Sequence, residues 1–278
     1  ASLGGKAGRL DFQKLLFLYC QQSSQPSYEF VPYKYGAFSF TSYADCRKLV
    51  DRGFLEGPDA HWKLTSAGES VVGANLDMEL DAFLRGYRLR GDALVADTYR
   101  RFPYFATRSE IAARVLKGDA SALSRIEAVA PSKVRGAVFT IGYEGKTLEG
   151  YLNQLLKAGA TVLCDVRRNP LSRKYGFSKR ALAGACENVG IRYEHLPELG
   201  IASAKRKGLQ TRADYRQLFA EYERDTLPNQ EDALTRIGAW VEADEAVALT
   251  CYELDSVDCH RRCVSDAMAQ RGVAVTHL

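Results

Sequence analysis

Apolar residues recur at helical spacing from Leu10 to Cys20, in LDFQKLLFLYC, and predict an amphipathic helix with Asp11 placed to cap its start. After the polar loop QQSSQPS the pattern turns β-rich in YEFVPYKYGAFS, broken by Pro32 and Gly36. A second helix is expected from about Ser42 to Arg52, ended by Gly53. GFLEGPDAHWKLTSAGE reads as two short strands turned at GPDA, with a third helix starting near Thr65. From about Asn75 to Lys133 the pattern is helical, interrupted at Pro103, and is expected to be a connector. At GAVFTIGYEG the texture changes. Short apolar strands then alternate with amphipathic helices to the end of the chain: strands in ATVLCDVR, IRYEHLP, AVALTCYE and VAVTHL, helices in TLEGYLNQLLKAG, SKRALAGACENVG, ADYRQLFAEYER, QEDALTRIGAWVEAD and CHRRCVSDAMAQRG. That alternation predicts an α/β fold, a parallel sheet with helices on both faces, Rossmann-like or rhodanese-like.

Composition narrows the class. A hydrophobic content of 46% with 26% charged residues describes a chain that buries a core, which excludes disorder, and 278 residues suggests two domains of middling size. No stretch has the unbroken apolar length of a membrane span and the start lacks a signal-peptide core, so a cytoplasmic protein without a membrane partner is expected. Residues 1–5 are set apart from the fold. Seven cysteines, an odd number, speak for reduced thiols and against a disulfide framework.

The net charge of +4 is modest, but its placement is not even. The segment RRNPLSRKYGFSKR carries Arg167, Arg168, Arg173, Lys174, Lys179 and Arg180 with no acid, and AKRKGLQTR adds Lys205, Arg206, Lys207 and Arg212. Two such segments point to an anionic partner, nucleotide or nucleic acid, with DNA expected over RNA; solvated surface is the plain alternative. No Walker loop, dinucleotide fingerprint or H-E-x-x-H occurs, and no cofactor is expected.

Parallel sheets build their sites at the carboxyl ends of the strands. That rule selects GYEG with Gly142 and Tyr143, DVRRNP with Asp165 and Arg167, HLPELG with His195 and Glu198, and CYE with Cys251 and Glu253. Cys259, His260 and Arg261 arrive at the start of the following helix, where an N-terminus attracts anions and lowers the pKa of a cysteine. Cys251 reads either as a thiolate nucleophile or as a small buried apolar residue. Glu253 reads as a general acid or base, or as the partner of Arg167 or Arg261. Asp165 has the character of a loop anchor, and His195 of either a proton shuttle or a loop-satisfying residue. Cys251, Cys259, His260 and Cys263 could also bind zinc, but there is no C-x-x-C knuckle, and an active pocket with no metal is the expectation.

The last half of the chain resembles the bacterial and archaeal Domain of Unknown Function 488 family. The resemblance is carried by TIGYEG, DVRRNPLS, HLPELG, CYE and CHR, from about Ala137 to Leu278. It implies a pocket built from Gly142, Asp165, Arg167, Pro170, Ser172, His195, Glu198, Cys251, Glu253, Cys259, His260 and Arg261. The first seventy or so residues resemble winged-helix modules, at Gln13, Lys14, Tyr33, Tyr35, Gly36, Ser39, Leu49, Gly53, Leu64, Thr65 and Gly68. The domains implied are a winged-helix module at 8–74, a helical connector at 75–133 and an α/β domain at 137–278. A weaker similarity is to rhodanese-like and cysteine-phosphatase domains, from which the chain departs because Arg261 lies too far beyond Cys251 and the intervening loop carries Glu253, Asp255 and Asp258.

The function these features suggest is a nucleic-acid or nucleotide modifying enzyme working by base or sugar chemistry, glycosidic-bond cleavage included. Cys251, Glu253, His260 and Asp165 would do the chemistry, and Arg167, Arg168, Ser172, Arg173, Lys174, Arg180, Lys205, Arg206 and Arg261 would hold phosphate. A DNA-binding regulator that senses a small anion, or a rhodanese- or phosphatase-like thiol enzyme, are the alternatives. Nothing in the sequence speaks to oligomeric state.

Overall fold

Five strands, all parallel, organise the second half of the chain. The structure is a computed structural model that describes residues 3–57, 60–74 and 77–278. It divides into two units, Ala1–Ala130 and Pro131–Leu278.

In the first unit the opening helix runs Arg9–Gln22. Asp11 does not cap it: Gly8 is the cap residue, and Asp11 Oδ1 accepts from the Gly91 N–H at 2.8 Å. The second helix, Phe40–Asp51, is capped by Ser39, whose side chain accepts from Ser42 N. Leu55–Glu56 pairs antiparallel with His61–Leu64 as the pattern suggested, although Pro58 and Asp59 of the turn lie outside the described residues. Lys6–Gly8 adds a third strand beside His61–Leu64, a short edge segment with no periodicity to announce it.

The stretch expected as a connector, whose first residue Asn75 is outside the described residues, forms helices Met78–Gly86, Gly91–Arg101, Ala112–Val115 and Ala120–Ala128. It shares the core of the preceding residues. Leu94 packs in one cluster with Leu15, Phe17, Leu18 and Phe30, and Phe17 meets Phe102 and Phe105 edge to face with ring centroids 5.0 and 4.6 Å apart. Each such buried side chain contributes on the order of 2 kcal/mol, more than a linker would give up to solvent.

In the second unit the elements in chain order are β1 (Ala137–Gly142), α1 (Leu148–Lys157), β2 (Val162–Asp165), α2 (Lys179–Asn188), β3 (Arg192–His195), α3 (Arg212–Glu221), α4 (Glu231–Glu242), β4 (Ala246–Cys251), α5 (Arg261–Gln270) and β5 (Ala274–His277). The sheet order is β5-β1-β4-β2-β3. Strand residues alternate between faces. Val247 and Leu249 of β4 join Leu234, Ile237 and Val241 of α4 and Val264 and Met268 of α5, while Thr250 faces the other way and accepts from Tyr151 of α1 at 2.7 Å. Helices therefore cover both faces.

The connection leaving β1 passes over β4 to reach β2, and the connection leaving β4 passes over β1 to reach β5. The chain thus departs in opposite directions from two adjacent strands, which opens a crevice at their carboxyl ends. Register places Gly142 beside Cys251 and Asp165 beside Thr250 at that level.

Candidate active site

Strand β4 is apolar and fully buried until Cys251, after which the chain must turn to avoid burying the polar residues that follow. It folds across the end of β1. The N–H groups of Tyr143 and Glu144 donate to the Tyr252 carbonyl at 3.1 and 2.9 Å. A Cβ at position 142 would stand 1.7 Å from the Glu253 carbonyl oxygen, so only glycine allows this crossing. Arg261, buried at the start of α5, donates to the carbonyls of Glu253 and Leu254, the latter at 2.9 Å. Its role is to tether the loop; its guanidinium is not presented to a phosphate.

His260 occupies the residue before α5 and is 1% exposed. Its Nε2 can only donate to the Val166 carbonyl, at 3.1 Å, which assigns the other nitrogen, Nδ1, to the thiols. Nδ1 lies 3.7 Å from Cys251 Sγ and 3.8 Å from Cys259 Sγ, and Arg206 Nη2 approaches it to 3.3 Å. A hydrogen bond from the Cys259 thiol, joined by the His260 charge, holds Cys251 well below the ordinary thiol range against the opposing effect of burial. Burial pushes Cys259 well above it. Burial pulls His260 down, but the negative Cys251 more than offsets this and its pKa is raised. Both shifts favour the charged forms, a thiolate beside a protonated imidazole. Burial, then the Cys251 charge, raises the pKa of Glu253, and its Oε2 is buried without a hydrogen-bond partner. Its Oε1 is 4.0 Å from Arg206 Nη1.

Asp165 and Arg167 are brought to the site but are spent on each other. Arg167 Nε and Nη2 donate to the two Asp165 oxygens at 2.8 and 2.5 Å, Tyr193 donates to Asp165 at 2.6 Å, and Arg167 Nη1 serves Tyr143 Oη and the Phe177 carbonyl. With four of its five N–H groups engaged, Arg167 acts as a strut and Asp165 as its anchor, although Arg167 also lines the cavity. His195 is likewise satisfied, Nε2 by the Arg167 carbonyl and Nδ1 by Lys179, each at 2.9 Å. Glu198 pairs with Arg236 at 3.8 Å, Lys174 donates to the Tyr143 carbonyl, Pro170 is buried, and Arg180 and Lys205 are exposed without lining the cavity.

The crevice is a cavity of about 350 Å³ with Cys251 and Glu253 at its base. Its walls include Arg168, Arg173, Arg206, Ser172 and Ser203, with Tyr143 and Tyr252 as aromatic faces. Ser203, Tyr252 and the Val166 carbonyl had no signal in the sequence beyond proximity to a strand end. Cys251, Cys259 and His260 set their donor atoms within 4.8 Å of one another, the one such group among the described residues. Cys263 does not join them: it lies in the core with Val264 and Met268.

No curated protein and no solved structure matches the chain. One family model does match, in the part of the chain that builds this crevice: the C-terminal region, over residues 147–268, matches the family described as Domain of unknown function DUF488.

Proposed function

We propose that this crevice is the active site of an enzyme that modifies a nucleotide or nucleic acid through a covalent intermediate on Cys251. The observation that carries the reading is the position of Cys251 Sγ, 3.7 Å from His260 Nδ1, at the base of a cavity walled by Arg168, Arg173 and Arg206. A nucleophile, a base beside it and a third group orienting the base make up the usual arrangement for covalent catalysis, and here the Val166 carbonyl is the third group. The sulfur forms a bond to a carbon of the sugar or base as the bond to the leaving group breaks. Glu253 gives its proton to the leaving atom, and water then releases the product from sulfur. The arginines and serines suit phosphate, and the tyrosine faces suit a base or sugar.

Glu253 favours chemistry over a ligand sensor. A sensor of anions has no use for a carboxylate oxygen buried without a partner, whereas a proton donor does. In the same reading the first unit is a winged helix that brings the enzyme to DNA, consistent with its helices and three-stranded antiparallel sheet.

The test is incubation with nucleoside phosphates and with single- and double-stranded oligonucleotides, products and intact protein mass being followed together. Turnover and a Cys251 adduct that both vanish in Cys251→Ala are expected. Oligonucleotide binding should weaken steeply with salt, because the arginines release counterions from phosphate. Undiminished turnover in Cys251→Ala would overturn the proposal.

A further inference from the structure

We infer that Cys251, Cys259 and His260 form a binding site for a thiophilic divalent cation of the zinc class, and that filling it removes Cys251 from nucleophilic use. Around zinc, bond lengths of about 2.3 Å to sulfur and about 2.0 Å to nitrogen give tetrahedral sulfur-to-nitrogen edges of about 3.5 Å. The two edges here, from His260 Nδ1 to Cys251 and to Cys259, are 3.7 and 3.8 Å. All three donor atoms lie within 4.8 Å of one another.

Metal-bound imidazoles donate their second nitrogen to a carbonyl or carboxylate, which fixes the ring and the tautomer. His260 already does so, through Nε2 and the Val166 carbonyl at 3.1 Å. The fourth position is left to water. Glu253 stands outside this donor group, with Oε2 a buried oxygen that has no hydrogen-bond partner. Two thiolates balance the two positive charges of the ion. Arg206, at 3.3 Å from Nδ1 and 4.0 Å from Glu253 Oε1, must swing off the ring nitrogen as the ion enters, and it stays beside Glu253. Its side chain is 33% exposed, so the swing meets solvent and not core.

Soft thiolate ligands with an imidazole select zinc, or cobalt as its spectroscopic stand-in, over the oxygen-preferring magnesium and calcium. The test uses the full chain, reduced and freed of metal by chelation, titrated with cobalt(II) alone. Expected are one equivalent bound, thiolate-to-cobalt charge-transfer absorption, the visible bands of a tetrahedral ion, and displacement by zinc. Cys259→Ser should lose about half of the charge-transfer intensity, since one of two thiolates is gone, whereas Cys263→Ser should lose none. In the unmodified protein zinc should shield Cys251 and Cys259 together from alkylation by N-ethylmaleimide, a readout that does not depend on the variants folding. Cobalt spectra without thiolate charge transfer, or Cys251 alkylation at an unchanged rate under saturating zinc, would overturn the inference. Neither result touches the proposed reaction, because no substrate is present, and loss of that proposal through an active Cys251→Ala would leave the cobalt spectra as they are.

Discussion

The Nδ1 atom of His260 stands 3.7 Å from the Sγ of Cys251, both in the protein interior and both held there by backbone, one at the end of a strand and the other just before a helix. A thiolate so placed persists at a pH where ordinary thiols are protonated. Alkylation of Cys251 by iodoacetamide, followed by peptide mass spectrometry, should therefore change little between about pH 8 and about pH 6. A cysteine with a raised pKa, such as Cys46, pushed to about 11 by burial, should slow about tenfold per pH unit over that range. Removing both groups that hold it down, in Cys259→Ala/His260→Ala, should give Cys251 the same slope. A Cys251 rate that falls tenfold per unit in the unmodified protein would contradict the assigned ion pair.

Glu253→Gln keeps the shape of the side chain and removes its proton. If Glu253 is the acid, turnover should fall by about 10²- to 10⁴-fold. The melting temperature should hardly move, because the carboxylate gives up no direct bond: Oε2 has no partner and Oε1 lies 4.0 Å from Arg206. A large drop in melting temperature with activity retained would mean that Glu253 holds the loop and not the proton.

Asp165→Asn is expected to behave in the opposite way. It leaves Arg167 buried with half of its bidentate partner, and breaking such a pair costs about 3–5 kcal/mol. Urea unfolding can be read in the second unit alone, from Trp240 fluorescence in a Trp62→Phe background, since the chain has two tryptophans. A midpoint shift under about 1 kcal/mol would show that Tyr143 and the Phe177 carbonyl suffice to hold Arg167.

Lys14 gives the first unit its own pH dependence. Burial lowers its pKa from 10.5 to about 7, while its Nζ donates to the Ala37 carbonyl at 2.7 Å. Between those two values the unfolded chain binds a proton that the folded chain does not, so stability rises with pH, and the penalty is greatest below about 7. The slope should approach about 1.4 kcal/mol per pH unit. Unfolding of the unit containing Trp62, measured at about pH 7.5 and about pH 9.5, should show that rise in the parent and lose it in Lys14→Met. Equal slopes in both proteins would place the charge elsewhere.

The sheet was legible in the sequence because each strand is a short apolar run closed by glycine, proline or charge, and the rule for strand ends then led to Cys251 and Glu253 without further help. His260 was legible as a neighbour of the next helix. What the sequence withheld depended on distance along the chain or on helix phase. Arg206 lies 54 positions before His260 in a segment that looks merely basic, and only folding sets it on Nδ1. Cys259 and Cys263 are alike on paper. Because α5 begins at Arg261, Cys259 stays outside the helix at the site while Cys263 falls on the stripe facing the core. In the first unit the contact of Phe17 with Phe102 and Phe105 spans most of that unit, and no local pattern records it.

The bare Cα of Gly142 also determines how the crevice can respond to what it binds. Because the Glu253 backbone rests directly on β1, and Arg261 and the Tyr143 amide grip the same loop, Cys251, Glu253 and Tyr143 behave as a single rigid jaw. The opposing jaw is drawn from Leu171–Arg173 and Ser203–Arg206, segments outside the sheet whose side chains are largely in solvent. Any closure around a ligand would therefore be one-sided: the sheet fixes Cys251 and Glu253, and the segments that carry Arg173 and Arg206 are the ones left to move.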